Sequence, residues 1–431
     1  MRILWLKTEL LHPVDKGGKI RTYNMLKELK RDHHVTYLTL DDGTASAEDH
    51  GKATEYCHDL VCIPHRRREK FTPGFYVELF WNLVAQHPYA IKKYESAAMR
   101  REIVERERSN SFDLLVCDFL APAANVPQRL STPTILFQHN VEAMIWKRHY
   151  EVQTNPVKKA YLYGQWQKMR RFERDMCRRF DSVIAVSADD REQMKQEYGA
   201  EAVFDVPTGV DVEFFRPGEV KTLAHSMVFT GSMDWLPNDD AIRYFTRDIM
   251  PLIKQKVPDA TLTVVGRNPT PALLELGKSD PSLVITGRVE DVRPYMKTAA
   301  AYVVPLRIGG GTRLKIFEAM AMEKAVVSTT VGAEGLQLTD GVELLLADEP
   351  RAFADAVAKV LTDSSYAVEL GQRAASIVRK NYGWRQVTES FVSICANSTR
   401  SVPPAVAGGP ISIQMPMADP PATAGGTDLI H

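Results

Sequence analysis

The sequence predicts an α/β protein built from two parallel-sheet domains, and three observations carry that expectation. Short apolar runs alternate with stretches of helical period along most of the chain, the rhythm of strands joined by covering helices. The length, 431 residues, exceeds one ordinary core and suits two domains of about 200 residues each. The segment Pro207-Thr208-Gly209-Val210-Asp211, closed by Arg216-Pro217, interrupts the rhythm near the middle with the residues that mark a boundary. The expected division is a first domain over 1–207, a linker over 208–220, a second domain over 221–382, a last helix over 383–398 and a tail over 399–431. That tail is rich in Ser, Pro, Ala and Gly and is expected to be disordered.

In chain order, Arg2 to Lys7 reads as a buried strand. Asp15-Lys16-Gly17-Gly18-Lys19 then turns into an amphipathic helix through Lys30, whose apolar members are Ile20, Met25, Leu26 and Leu29. Val35–Leu40 and Leu60–Pro64 continue the strands. A basic and aromatic stretch follows, broken at Pro73 and Pro88. Leu114–Cys117 and Thr134–Phe137 are further strands, and the second runs straight into Gln138-His139-Asn140. Ser182–Ser187 and Val203–Val206 close the first domain. In the second, strands are expected at Met227–Phe229, Thr261–Val265, Leu283–Ile285, Ala301–Val304, Ala325–Ser328 and Leu344–Leu346, and helices at 349–361, 366–382 and 384–394.

The chain is organised around residues 305–335. A buried strand leads into Gly309-Gly310-Gly311, and a helix starts at Thr312. The first amides of a helix lack internal partners and carry partial positive charge, and glycines let an anion approach them. Arg313 and Lys315 add cations in the first turn, where they oppose the helix dipole unless an anion lies between them. Together these point to a phosphate-bearing ligand. Glu318, one to two turns further in, accepts hydrogen bonds only and suits a ribose diol. The plainer reading is a tight glycine turn followed by a solvated helix face; the basic pair facing the dipole favours the ligand.

The run Gly-Gly-Gly-Thr-Arg-Leu-Lys-Ile-Phe-Glu-Ala-Met-Ala, followed by Ala-Val-Val-Ser-Thr-Thr-Val-Gly-Ala-Glu-Gly-Leu, resembles the donor-binding segment of retaining glycosyltransferases of family 4. The resemblance implies the GT-B fold: two Rossmann-like domains facing a central cleft, with a C-terminal helix crossing back to the first. It also implies transfer of a sugar, with retention, from a UDP- or GDP-sugar to a saccharide or lipid-linked acceptor, with no metal or other cofactor, in bacterial surface polysaccharide synthesis. Glu318 matches the second glutamate of the family's Glu-x7-Glu motif, whereas the first falls at Gly310, so Gly310, Gly311 and Thr312 are left to hold the donor by their backbone amides. Gly17-Gly18 matches a glycine pair near the donor phosphates, and His139 the histidine that contacts the donor sugar. In the family the loop that Gly231-Ser232 matches approaches the donor phosphates. No lysine follows it closely and Asn238 stands near the expected place, which moves the phosphate clamp to Arg313 and Lys315, with Arg267 beside them. Two rivals are a sugar-nucleotide epimerase or hydrolase of the same shape, and a non-catalytic scaffold.

Composition excludes other classes. Lysine plus arginine and aspartate plus glutamate both number 54, so no overall field draws the chain to nucleic acid. The five cysteines are scattered without metal or redox spacing and suit a reducing compartment. The apolar start is too short for a signal peptide, and no run reaches a membrane span, so the expected location is cytoplasmic. The basic and aromatic stretches 66–81 and 158–180 have two readings: helix faces packed on the domain with arginine heads in water, or a peripheral contact with the inner face of an anionic membrane.

Overall fold

The structure is a computed structural model that describes residues 1–14, 17–66, 68–69, 71–308 and 314–400. Seven strands form the first sheet: β1 (Arg2–Lys7), β2 (His34–Asp41), β3 (Asp59–Pro64), β4 (Leu114–Asp118), β5 (Thr134–Phe137), β6 (Ser182–Ala185) and β7 (Val203–Asp205), in the order β3-β2-β1-β4-β5-β6-β7. Six form the second: β8 (Ser226–Thr230), β9 (Thr261–Val265), β10 (Leu283–Ile285), β11 (Ala301–Val304), β12 (Ala325–Ser328) and β13 (Leu345–Leu346), in the order β10-β9-β8-β11-β12-β13. Every pairing is parallel. The helices include α1 (Gly17–Asp32), α2 (Pro73–Asn82), α3 (Glu142–Val152), α4 (Pro156–Arg179), α5 (Leu236–Tyr244), α6 (Leu314–Ala321) and α7 (Trp384–Arg400).

The strands are mostly apolar because helices cover both faces of each sheet. Leu4, Leu6, Leu115 and Leu136 are fully buried on one side of the first sheet, and Ile3, Trp5, Val116 and Ile135 on the other. Each such side chain contributes about 1.5–3 kcal/mol by leaving water. The second sheet repeats the arrangement with Phe229, Val264 and Val303 on one face and Val228, Tyr302 and Val326 on the other. In both sheets the order reverses beside the central strand, between β1 and β4 in the first and between β8 and β11 in the second. Open α/β sheets bind ligands outside the carboxyl ends of the strands at such a reversal.

Four local readings change. Gly17 and Gly18 are the first residues of α1 rather than a turn; a Cβ on Gly18 would stand 2.7 Å from the Phe119 ring, so that ring packs against the helix only where a side chain is missing. Pro73 and Pro88 do not break a helix but start one, Pro73 in the first turn of α2 and Pro88 as the residue before the short helix Tyr89–Lys92. β4 runs one residue past Cys117 to Asp118, whose carboxylate finds partners underneath the cleft. The last helix runs on to Arg400, past Ile394 and past the expected start of the tail at 399. Buried Cys395 and Ser398, whose Oγ lies 2.7 Å from Ser182 Oγ, hold its final turns on the first domain. Residues 401–431, the rest of the expected tail, lie outside the described residues.

Two strands of chain pass between the domains side by side. Val210 donates to Tyr382 O at 2.8 Å and bridges to Gly383 where α7 begins. Arg21, fully buried on α1, donates to Val206 O at 2.6 Å and to Thr208 Oγ1 at 3.1 Å, tying the first domain to the linker. All five cysteines are free thiols, four of them buried, and burial pushes the Cys57 thiol up to about 12 and Cys62 to about 11. No described helix is long and apolar enough to cross a membrane.

Candidate active site

A cleft of about 630 Å³ lies at the carboxyl ends of β8 and β9, beside the strand-order reversal of the second sheet. The second domain lines it with Thr230, Gly231, Ser232, Trp235 and Asn238 after β8, Arg267 after β9, and Leu314, Lys315 and Glu318 on α6; Ile20 of α1 closes it from the first domain. Gly231, Ser232, Arg267, Lys315 and Glu318, singled out in the sequence, are therefore brought together. Gly309, Gly310, Gly311, Thr312 and Arg313 lie outside the described residues.

Two loops cross at the floor. A Cβ on Gly266 would stand 1.7 Å from Gly231 O, and Gly231 donates to Val265 O at 3.0 Å, so the β8 and β9 loops touch backbone to backbone. Above them Lys315 Nζ donates to Asn238 Oδ1 at 2.9 Å and stands 4.2 Å from the centre of the Phe229 ring. Asn238, buried at the start of α5, donates in turn to Ser232 O at 2.8 Å. Asparagine here thus serves as a brace that fixes the ammonium over the Gly231 loop. A further chain runs along the rim: Arg267 Nε donates to Ser232 Oγ at 2.8 Å, Ser232 Oγ to Asp234 Oδ1 at 2.6 Å, and Asn268 Nδ2 to Asp234 Oδ2 at 2.9 Å. The Arg267 guanidinium itself is exposed.

Burial raises the Glu318 carboxyl to about 7, while Lys315 pulls it the other way. The cleft therefore holds a cation with a fixed partner and a carboxylate poised near neutrality. It suits a ligand with anionic oxygens at one end and hydroxyls at the other.

His139 takes a different place. It is 8% exposed, stacked on Phe119 at 3.8 Å with a 20° interplanar angle, and is absent from the walls of this cleft. Its Nε2 lies 2.8 Å from Asp118 Oδ1. Asp118 Oδ2 accepts from Lys7 Nζ at 2.7 Å, Thr22 Oγ1 at 2.6 Å and Trp5 Nε1 at 3.0 Å. Burial alone would raise the Asp118 carboxyl, yet Lys7 and His139 outweigh it and hold the group well below the usual carboxylate range. Burial pushes the His139 imidazole down to about 4, so the ring is neutral at pH 7. Gly18 and Phe119 lie between this charged cluster and the surface, so the sequence-matched Gly17-Gly18 pair belongs to the roof over His139.

The His139 segment is held from behind. The Glu173 carboxylate on α4 accepts from the Glu142 and Ala143 amides at 2.8 and 2.9 Å, from Gln138 Nε2 at 3.2 Å and from Tyr198 Oη at 2.8 Å. It supplies the N-terminal cap that Val141 cannot give α3.

Lys7, Asp118, Thr22 and Glu173 escaped the sequence reading. Lys7 and Asp118 each follow an unbroken apolar run, Ile3–Leu6 and Leu114–Cys117, at the carboxyl end of a strand, the one signal that marked them.

Comparison with known proteins agrees with this architecture. Residues 224–363 match the family described as glycosyl transferases group 1, and residues 16–214 match glycosyltransferase family 4. A Klebsiella pneumoniae protein described as an uncharacterised 44.6 kDa protein in the cps region is 20% identical over 90% of this chain and 98% of its own. The Mycobacterium tuberculosis phosphatidyl-myo-inositol mannosyltransferase is 28% identical over 51% of this chain and 61% of its own. Among solved structures, sucrose-phosphate synthase from Thermosynechococcus elongatus superposes with a TM-score of 0.62 at 15% identity, covering 92% of this chain and 98% of that one. TarM from S. aureus does so at 0.65 and 12%, covering 93% and 99%. At such identities the structures speak for the fold alone. Two facing sheets with reversed strand order, a helix that crosses back and family matches over both halves lead to one conclusion: the chain belongs to the GT-B glycosyltransferases of family 4.

Proposed function

We propose that the protein transfers a hexose with retention from a UDP- or GDP-sugar to a saccharide or lipid-linked acceptor, without a metal, in bacterial surface polysaccharide or glycolipid assembly. The observation that carries the reading is the convergence of Lys315, braced by Asn238, and Glu318 on one cleft at the strand reversal of the second sheet. In this reading Lys315 and the sequence-assigned Arg313 meet the charge that grows on the leaving diphosphate, and Glu318 accepts from the ribose diol. Asn238 holds the ammonium in place before the donor arrives, so the stabilisation costs no reorganisation as the bond breaks. The acceptor hydroxyl approaches across the cleft from the first domain, on the donor face that the nucleotide leaves. His139, neutral and with its Nε2 2.8 Å from Asp118 Oδ1, supports the sugar end through Phe119 and Gly18. The kinship with a mannosyltransferase that acts on a phosphatidylinositol and with a cps-region protein supports the biosynthetic setting.

The test is calorimetric binding of UDP, GDP and ADP to the full chain and to Lys315→Ala. Saturable binding of one nucleotide, weakened about 100-fold in the variant by the loss of about 2.7 kcal/mol, supports the reading and selects the sugar nucleotides to screen. Turnover with chelator present, and the anomeric configuration of the product by NMR, then address metal and retention. Absence of binding by any of the three nucleotides would overturn the donor site.

A further inference from the structure

Helix α2 is apolar on both sides. Phe75 and Leu79 face inward, where Phe75 meets the Tyr89 ring at 5.7 Å. Tyr76, Val77, Phe80 and Trp81, at the i, i+1, i+4 and i+5 spacing of one helical face, point outward and are 56%, 55%, 66% and 65% exposed, and Val84 in the turn after the helix is 83% exposed. A helix apolar all round is ordinarily buried on every side, and soluble surfaces rarely gather so many large apolar side chains in one place. The neighbouring Phe71 extends the patch: it is 78% exposed and holds a φ of +67°, a backbone state that aromatic residues rarely adopt.

The patch is fixed rather than loose. Buried Asn82 at the end of α2 accepts from Gln165 Nε2 of α4 at 2.8 Å, and Lys168 of α4 donates to the carbonyls of Asn82 and Leu83, which cap the helix end. Around it cations outnumber carboxylates, with Glu69 the exposed acid of the preceding segment. Arg66 and Lys158 are exposed, and Lys159 lies over the Tyr150 ring. Glu78, the one acidic residue of α2, is already paired with Arg68 at 2.5 Å and accepts from Tyr89 Oη.

The patch also has a defined place in the fold. α2 follows the carboxyl end of β3. α4 feeds the start of β6, and its 24 residues reach about 36 Å, against about 13 Å for four-residue β6, so its first turns overshoot the sheet on the carboxyl side. That is the side from which Ile20 reaches the cleft.

We propose that α2 and the first turns of α4 dock the protein on an anionic lipid bilayer, with Tyr76, Phe80 and Trp81 in the interface and the carboxyl edge of the first sheet facing the membrane. Tyr and Trp are the side chains that partition into the headgroup region, and flanking cations answer anionic lipid. Ten residues are too few to span, so α2 lies in the plane. The use of this contact, to bring a lipid-linked acceptor to the cleft, rests on the function proposed above; the docking itself is measured without donor or turnover.

The experiment is sedimentation of the full chain with vesicles of phosphatidylcholine alone and of phosphatidylcholine containing phosphatidylglycerol. Preferential binding to the anionic vesicles, weakened by salt, is expected, and F80S/W81S should lower the partition coefficient roughly tenfold or more. Both side chains are largely solvent-exposed, so the unfolding midpoint should not move. Lys158→Glu, which removes charge and no apolar surface, should weaken binding to anionic vesicles only. Lack of binding to either vesicle, or equal binding by F80S/W81S, would overturn the proposal. So would a concentration-dependent dimer in light scattering that the double variant abolishes, since that assigns the face to a second copy of the chain.

Discussion

Ligand affinity should depend on pH through Glu318. Burial raises its carboxyl from 4.5 to about 7, with Lys315 opposing. A ribose diol donates hydrogen bonds, which the ionised carboxylate accepts and the protonated acid meets only in part. The nucleotide therefore selects the deprotonated form and draws the pKa down. Above pH 7 the site is ready to bind. Below it, affinity falls toward tenfold per unit, about 1.4 kcal/mol, until the pKa of the bound state is reached. At pH 6 about one tenth of Glu318 is ionised, so the dissociation constant should rise about tenfold from its value at pH 8. The diphosphate itself takes up a proton near pH 6, by roughly the same chemistry as a phosphomonoester. Glu318→Gln is therefore the reference, because it retains the slope of the phosphate and loses that of the carboxylate. Calorimetry at pH 6, 7 and 8 on both proteins measures the difference. Parallel pH dependences would refute the assignment of Glu318 to the ligand hydroxyls.

Three further outcomes follow from contacts already described. Lys7→Met leaves the Asp118 carboxylate buried beside His139 without its ammonium, and should cost about 3–5 kcal/mol in urea unfolding. Glu173→Gln turns an amide group toward at least one backbone N–H that needs an acceptor; a loss of about 1–3 kcal/mol in the same assay is expected, with Glu173→Ala at least as damaging. Gly266→Ala places a methyl against Gly231 O, a backbone atom that moves only with its loop. It should cost about 1–3 kcal/mol in urea unfolding, and it should abolish the thermal shift produced by whichever of UDP, GDP and ADP binds the unaltered chain.

Much of the frame was legible because buried strands announce themselves. Thr134–Phe137, Thr261–Val265 and Ala301–Val304 are short runs rich in Val, Ile, Leu and Phe, each with a proline or glycine next to one end, and the structure keeps those ends. The gathering of Gly231, Arg267, Lys315 and Glu318 followed from a resemblance and from the rule that ligands sit at carboxyl ends. What stayed hidden was pairing across sequence distance. Lys7 and Asp118 are 111 residues apart, and nothing local tells a strand-ending lysine which carboxylate it will meet. Asn238, conspicuous only for not being lysine, gains its meaning from Lys315 on a helix 77 positions later. The aromatic stretch after His65 allowed two readings because period alone does not say whether a second apolar face is covered.

The crossing of α7 has a consequence for how the molecule is made. Phe391 packs tilted against Trp5 at 5.7 Å and edge-on against Phe137 at 5.4 Å, and Val387 and Cys395 fill the same core. A hydrophobic centre begun by the fifth residue is thus completed by one near the end of the chain. At about 5–20 residues per second, a ribosome delivers Phe391 roughly 20–80 s after Trp5. During that interval the first domain carries an open apolar furrow over β1 and β5, and its cooperative closure waits for the second domain to finish. Synthesis of α7, rather than of the first domain, is then the event that completes this core, and a nascent chain stalled before residue 384 should be the species that chaperones hold.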